Sequence, residues 1–168
     1  MNKIKNNEKG FSLIELLVVV AIIGILAAVG IVAYSGYTAS AKINSAKGSH
    51  STIVKFINAE KTKCDTGASE FMGLVTALSV ALTGDSAKCE NNMSGAAGVT
   101  ATAFKNHFVG KKFKNPFTPS VMATSDACTT SGNKGCTVIV ADSATGSILT
   151  ITTKVDDAET LTDTISLE

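Results

Sequence analysis

Tryptophan and arginine are both missing from this chain, and all fifteen basic residues are lysine. Only 5% of the residues are aromatic. The core must therefore be assembled from small aliphatic side chains. Formal net charge is +1, which argues against bulk electrostatic attachment to nucleic acid. Histidine occurs only at His50 and His107, far apart in sequence. No Gly-x-Ser-x-Gly, His-Glu-x-x-His, phosphate loop or dinucleotide fingerprint occurs. These absences leave catalysis without support and point to a chain that is not an enzyme and binds no cofactor. Proline is confined to Pro116 and Pro119, which mark a turn region. No pair of cysteines has Cys-x-x-Cys spacing, so a zinc site is not expected.

What the sequence does contain is one long apolar run. From Phe11 to Tyr34 a single residue, Glu15, carries charge. Such a run is long enough to cross a bilayer as a helix. A carboxylate within it is costly, roughly 2.5–3.5 kcal/mol at a membrane helix centre and less near the end. A positive charge on another copy of the chain would offset that cost, so the run predicts an assembly. Lys3, Lys5 and Lys9 precede it, which places Met1–Gly10 in the cytoplasm by the positive-inside rule.

The small residue Gly10 stands before the apolar run, whereas a secretory signal places its cleavage site after it. The stretch Lys9-Gly10-Phe11-Ser12-Leu13-Ile14-Glu15 resembles the processing site of type IV prepilins and their relatives, the type II secretion pseudopilins. The resemblance is strong from about Lys9 to Tyr37 and general beyond. It implies cleavage between Gly10 and Phe11 by the prepilin peptidase, N-methylation of Phe11, and pairing of Glu15 with the Phe11 ammonium of a neighbouring subunit. Loss of residues 1–10 would leave a near-neutral mature chain. The implied partners are further copies in a helical filament, the inner membrane before assembly, and an assembly platform with ATPase motors. The implied location is the bacterial inner membrane, then an extracellular pilus serving adhesion, twitching motility or DNA uptake. The family commonly carries proline where this chain has Val32, which leaves Gly24 to Gly30 as the stretch able to loosen.

The expected fold is α+β, pilin-like: one long amino-terminal helix packed on a small antiparallel sheet. Residues 1–10 form the leader, 11–35 the membrane or filament-core half of the helix, and 36–168 the head. The helix is expected from about Phe11 to Lys61, a rod of roughly 75 Å. Its second half turns amphipathic, with Tyr34, Tyr37, Ala41, Ala46, Ile53, Val54 and Ile57 facing inward. Cys64 to Gly67 ends it. A second helix is expected from Ser69 to Gly84, with Phe71, Leu74, Val75, Leu78 and Leu82 on one face. Strands are expected at Thr137–Ala141, Ser147–Thr153 and Thr160–Leu167, with a fourth around Phe117 to Met122.

Cys64, Cys89, Cys128 and Cys136 make an even count, which in an exported chain favours disulfides. Three connectivities are possible. Cys64–Cys89 with Cys128–Cys136 closes the shorter loops. Phe104, Phe108 and Phe113 alternate with Lys105, Lys111, Lys112 and Lys114. Aromatics among lysines can stack single-stranded nucleic acid, but the favoured reading is that the phenylalanines are core, with the lysines solvated beside them. Asp156, Asp157 and Glu159 lack a ligand loop and read as a solvated turn, without metal. The functional alternatives are therefore a pilus subunit, a pseudopilin, or a minor tip subunit that captures DNA through Lys105, Lys111, Lys112 and Lys114.

Overall fold

The computed structural model describes residues 10–69, 89, 99–124, 128, 133–142 and 147–167. Its elements are α1 (Leu13–Asp65), α2 (Val99–Gly110), β1 (Thr137–Ala141), β2 (Ile148–Lys154) and β3 (Thr160–Ser166). The chain divides into two units, Met1–Ser40 and Ala41–Glu168. The expected helix from Ser69 to Gly84 lies outside the described residues.

The described part of the first unit is the opening of α1. Every side chain from Phe11 to Tyr37 is exposed. The apolar part, Leu13 to Tyr34, would run about 33 Å at ~1.5 Å per residue, enough for a hydrocarbon layer of ~30 Å. The helix stays unbroken through Gly24 and Gly30.

In the second unit α1 becomes one-sided. Ala46, His50, Ile53, Ile57 and Glu60 are buried, at alternating spacings of four and three that hold one helical stripe. This corrects the expected face. Tyr34, Tyr37 and Ala41 are exposed, and Val54 is half-buried. Five residues separate Ala41 from Ala46, a rotation of about 140° beyond one full turn. The apolar residues before Ala41 therefore belong to a different face. Two polar residues, His50 and Glu60, occupy the true stripe instead.

Both described helix ends close with the same backbone device. At α1, Gly67 takes φ +94°, and Ala68 N–H reaches Lys63 carbonyl at 3.0 Å while Gly67 N–H reaches Cys64 carbonyl at 3.0 Å. This pair of bonds is the Schellman closure. At α2, Phe113 N–H reaches Phe108 carbonyl at 3.1 Å and Lys112 N–H reaches Val109 carbonyl at 2.9 Å. Here the left-handed residue is Lys112, with φ +56°, although Gly110 stands two positions earlier.

The sheet is antiparallel, in the order β1-β2-β3. Val138 pairs with Thr152 and Thr152 with Thr162, and the register holds to the strand ends. Leu149, Ile151 and Thr153 of β2 point into the core, and alternate residues point away. Ile53 and Ile57 of α1, Phe104 and Phe108 of α2, and Ile139, Leu149, Ile151 and Ile165 of the sheet form one buried cluster.

The expected fourth strand does not form. Between Lys114 and Met122 there is an isolated bridge only. Pro116 and Pro119 cannot donate to a ladder. The buried Asn115 side chain turns the chain instead, its Oδ1 accepting from Phe117 N–H at 2.8 Å and Thr118 N–H at 3.2 Å. Its Nδ2 donates to Lys134 carbonyl at 2.8 Å, which ties this turn to the segment before β1.

Candidate functional site

Three features stand out once side chains are placed: the start of α1, a polar clasp beneath the sheet, and the surface of α2.

At the start of α1, Ser12 and Glu15 satisfy each other. Ser12 N–H donates to Glu15 Oε2 at 2.8 Å, and Ser12 Oγ–H donates to the same oxygen at 2.6 Å. Glu15 N–H reaches back to Ser12 Oγ at 3.3 Å. This is the reciprocal capping box, a serine followed three residues later by glutamate. It was legible as Ser12-Leu13-Ile14-Glu15, but the sequence reading passed over it. Glu15 therefore serves its own helix. A carboxylate in the first turn opposes the positive end of the helix dipole. Gly10 and Phe11 sit just before this cap, both exposed.

The second feature was missed altogether. His50 is buried at 4% exposure. Its Nδ1 lies 2.8 Å from Thr153 Oγ1, and its Nε2 lies 2.7 Å from Asp163 Oδ2. Thr153 Oγ1 is in turn 2.6 Å from Thr137 Oγ1. One helical residue thus fastens α1 to all three strands. A hydroxyl, an imidazole and a carboxylate in a row resemble a hydrolytic set. Thr153 is wholly buried, however, so no substrate can reach its oxygen and the cluster is structural.

On α2, Phe104 and Phe108 are buried, and Phe113 lies half-buried with its ring 5.4 Å from Phe108. The nucleic-acid reading needed those rings free to stack on bases. Their faces are spent on the core and on Phe56, which lies 6.2 Å from Phe104 and 5.4 Å from Phe108. That support for DNA capture falls away. Lys111, Lys112 and Lys114 are exposed and Lys105 is half-buried. His107 stacks on Phe56 at 4.4 Å, and its Nδ1 is buried without a hydrogen-bond partner among the described residues. Burial, seconded by the nearby Lys111 charge, lowers the His107 pKa, while Glu60 opposes the shift.

The acidic turn before β3 is occupied by local bonds. Asp156 Oδ1 accepts from Glu159 N–H at 2.7 Å and Ala158 N–H at 2.8 Å. Those two amides hold its carboxyl below the usual range. Glu159 pairs with Lys47 at 2.8 Å and Asp157 with Lys134 at 2.6 Å. Among the described residues no cluster of ligands fit for a metal ion occurs.

Cys64 is bonded to Cys89, with Cα atoms 5.1 Å apart, and Cys128 to Cys136, at 5.3 Å. The first bond fixes the end of α1 against residue 89. The second lies at the strand-side turn, where Asn115 Nδ2 approaches Cys136 Sγ at 3.5 Å.

An exposed apolar helix, opened by a capped acid and long enough by length and composition to cross a membrane, leads into a small antiparallel sheet, the plan of a pilin-like α+β class. Comparison with known proteins makes the class specific. Residues 5–31 match the family described as the prokaryotic N-terminal methylation motif. The type IV major pilin protein PilE1 of Neisseria gonorrhoeae is 47% identical over 53 residues, covering 29% of this chain and 32% of that protein. A fimbrial protein of Moraxella nonliquefaciens is 56% identical over 41 residues, covering 24% and 27%. The fimbrial protein EcpC of Eikenella corrodens is 51% identical over 43 residues, covering 26% and 28%. The amino-terminal segment is thus similar to that of type IV pilins and fimbrial proteins. The matches span only about a third of the length of these curated relatives. No solved structure matches the chain.

Proposed function

We propose that the chain is the structural subunit of a type IV pilus, held in the inner membrane by α1 and then packed helix to helix into a filament. The observation that carries this reading is Glu15, one acid at the head of an exposed apolar helix whose every side chain from Phe11 to Tyr37 lacks cover. Cleavage between Gly10 and Phe11 by a prepilin peptidase would free an ammonium immediately before the Ser12 cap. The positive end of the helix dipole disfavours a cation there, so an acid from a neighbouring copy is a fitting partner. Ser12 engages Glu15 Oε2, and the other carboxylate oxygen has no bond among the described residues. Pairing neutralises two charges in apolar surroundings and fixes the register between copies, as a buried polar group does in a coiled coil. Methylation at Phe11, an inner-membrane platform and ATPase motors belong to the same reading. The filament would serve attachment, motility or DNA uptake.

The capping box makes a sharp test available. Glutamine at the same position still closes the box but carries no charge. Glu15→Gln should therefore insert in the membrane, keep its helix start and yield almost no filaments. Glu15→Ala loses both roles and should fare no better. Filament yield from Glu15→Gln equal to wild type would show that the charge is not what joins the copies.

A further inference from the structure

Both disulfides join cysteines that are neighbours in sequence. Cys64 bonds Cys89, 25 residues on, and Cys128 bonds Cys136, 8 residues on. The two bonds differ in access. Cys64, in the last turn of α1, is half-buried. Cys128 is 7% exposed and Cys136 is wholly buried. The Cys136 carbonyl accepts from Lys154 N–H at 3.1 Å, and the Asn115 amide lies against its sulfur. Asn115 and Phe117 press so closely on Gly135 that a Cβ there would collide with both. The second bond is therefore sealed beneath the turn at Asn115.

We infer that the four cysteines are joined in chain order by a dithiol–disulfide oxidant, that no disulfide isomerase is needed, and that Cys128–Cys136 closes before the Asn115 turn folds over it; the inference rests on the pilus-subunit reading, which carries the head across the inner membrane. Each bond forms by exchange. One cysteine thiolate attacks the oxidant's disulfide and makes a mixed disulfide. The second cysteine thiolate then attacks the first cysteine's sulfur, and the oxidant leaves as a dithiol. The two protons and two electrons that the pair gives up end on the oxidant's two sulfurs. Attack needs a sulfur that the oxidant can touch. The buried pair must thus react while its segment is still open, whereas Cys64 stays within reach after folding.

Loop length picks the partners. The odds of closure fall as about the three-halves power of the loop. All four cross pairs span longer stretches than either native pair. Weighted this way, the first bond is a native one in roughly five chains of six. Either native bond leaves only the other to form. A chain held with its amino end in the cytoplasm exports Cys64 and Cys89 before the other two, which raises that share. Crossed or nested pairs would need shuffling, and this chain has neither.

The test follows the full chain in cells, trapping free thiols by alkylation at timed intervals and mapping bonds by mass spectrometry of unreduced digests. Cells without the dithiol oxidase should form both bonds about tenfold less, since the exchange partner is gone. Cells without the isomerase should match wild type. Cross-paired cysteines that build up without the isomerase, or full bonding without the oxidase, overturn the inference. On the folded chain in detergent micelles, dithiothreitol should open Cys64–Cys89 about tenfold faster than Cys128–Cys136, because exchange rates follow access; equal rates or the reverse order overturn it too. Wild-type cells whose chain keeps all four thiols free overturn the subunit reading as well. Correct bonding without filaments overturns that reading alone.

Discussion

Replacing His50 by alanine should loosen the whole sheet, and the structure sets the size of the effect. The imidazole makes two hydrogen bonds, at 2.7 Å to Asp163 and 2.8 Å to Thr153. A bond to a charged group contributes about 1.5–3 kcal/mol, and a neutral one about 1 kcal/mol. Two circumstances reduce the loss. The Asp163 side chain is 55% exposed, so water takes over its oxygen. Thr153 keeps the Thr137 hydroxyl at 2.6 Å, so it is not orphaned. Against this, truncation leaves a hole beside the buried Ile53, and holes of this kind add to the cost of lost contacts. The sum is about 3 kcal/mol, which converts to a little over a hundredfold in an opening equilibrium. Hydrogen exchange on the full chain in detergent micelles reads this directly. Amides of β2 and β3 should exchange about a hundredfold faster, and those of Leu13–Tyr34 should not change. Asp163→Asn keeps an acceptor and should cost only about 1 kcal/mol. Less than a fivefold acceleration in His50→Ala would refute the clasp.

Two other predictions concern α2. Because the His107 pKa is lowered from 6.5 in the folded chain, the unfolded chain takes up the proton first as pH falls. Its contribution to stability is thus complete above about pH 6.5 and lost progressively below it. His107→Phe, which can still stack on Phe56, should remove that part of the acid sensitivity; urea midpoints at pH 7.5 and 5 for both proteins check it, and an unchanged difference counts against it. At Lys112, glycine should suit φ +56° better. The relief of about 1–2 kcal/mol is offset in part by glycine's unfolded-state entropy. Lys112→Gly should therefore raise the melting temperature by roughly 4 °C, and Lys112→Ala should not; a fall with glycine would refute the strain.

The long amino-terminal helix was legible because an unbroken apolar run of this length fits few other structures. The strands were legible because β-branched residues alternate at Thr137–Ala141 and Ile148–Lys154 and polar turns separate them. What stayed hidden was decided by contacts between distant residues. His50 looks like a surface histidine until β2 and β3 are folded against it, although its place four residues after Ala46 and three before Ile53 was a usable signal. Phe104 and Phe108 read as core, but which ring covers them stayed hidden because that partner, Phe56, lies far back on α1. The segment from Phe117 to Met122 has strand-like composition, and one buried amide side chain, Asn115, bends it into a turn. The helix α2 ends at Gly110, yet the left-handed residue that closes it is Lys112, which composition does not signal.

The two tyrosines of the chain, Tyr34 and Tyr37, stand uncovered in the first unit, and no tryptophan accompanies them. Ultraviolet emission from this protein therefore comes from one short length of α1 and leaves the remainder dark. Polymerisation could be followed in real time, without any dye, as a change in the glow of that one stretch.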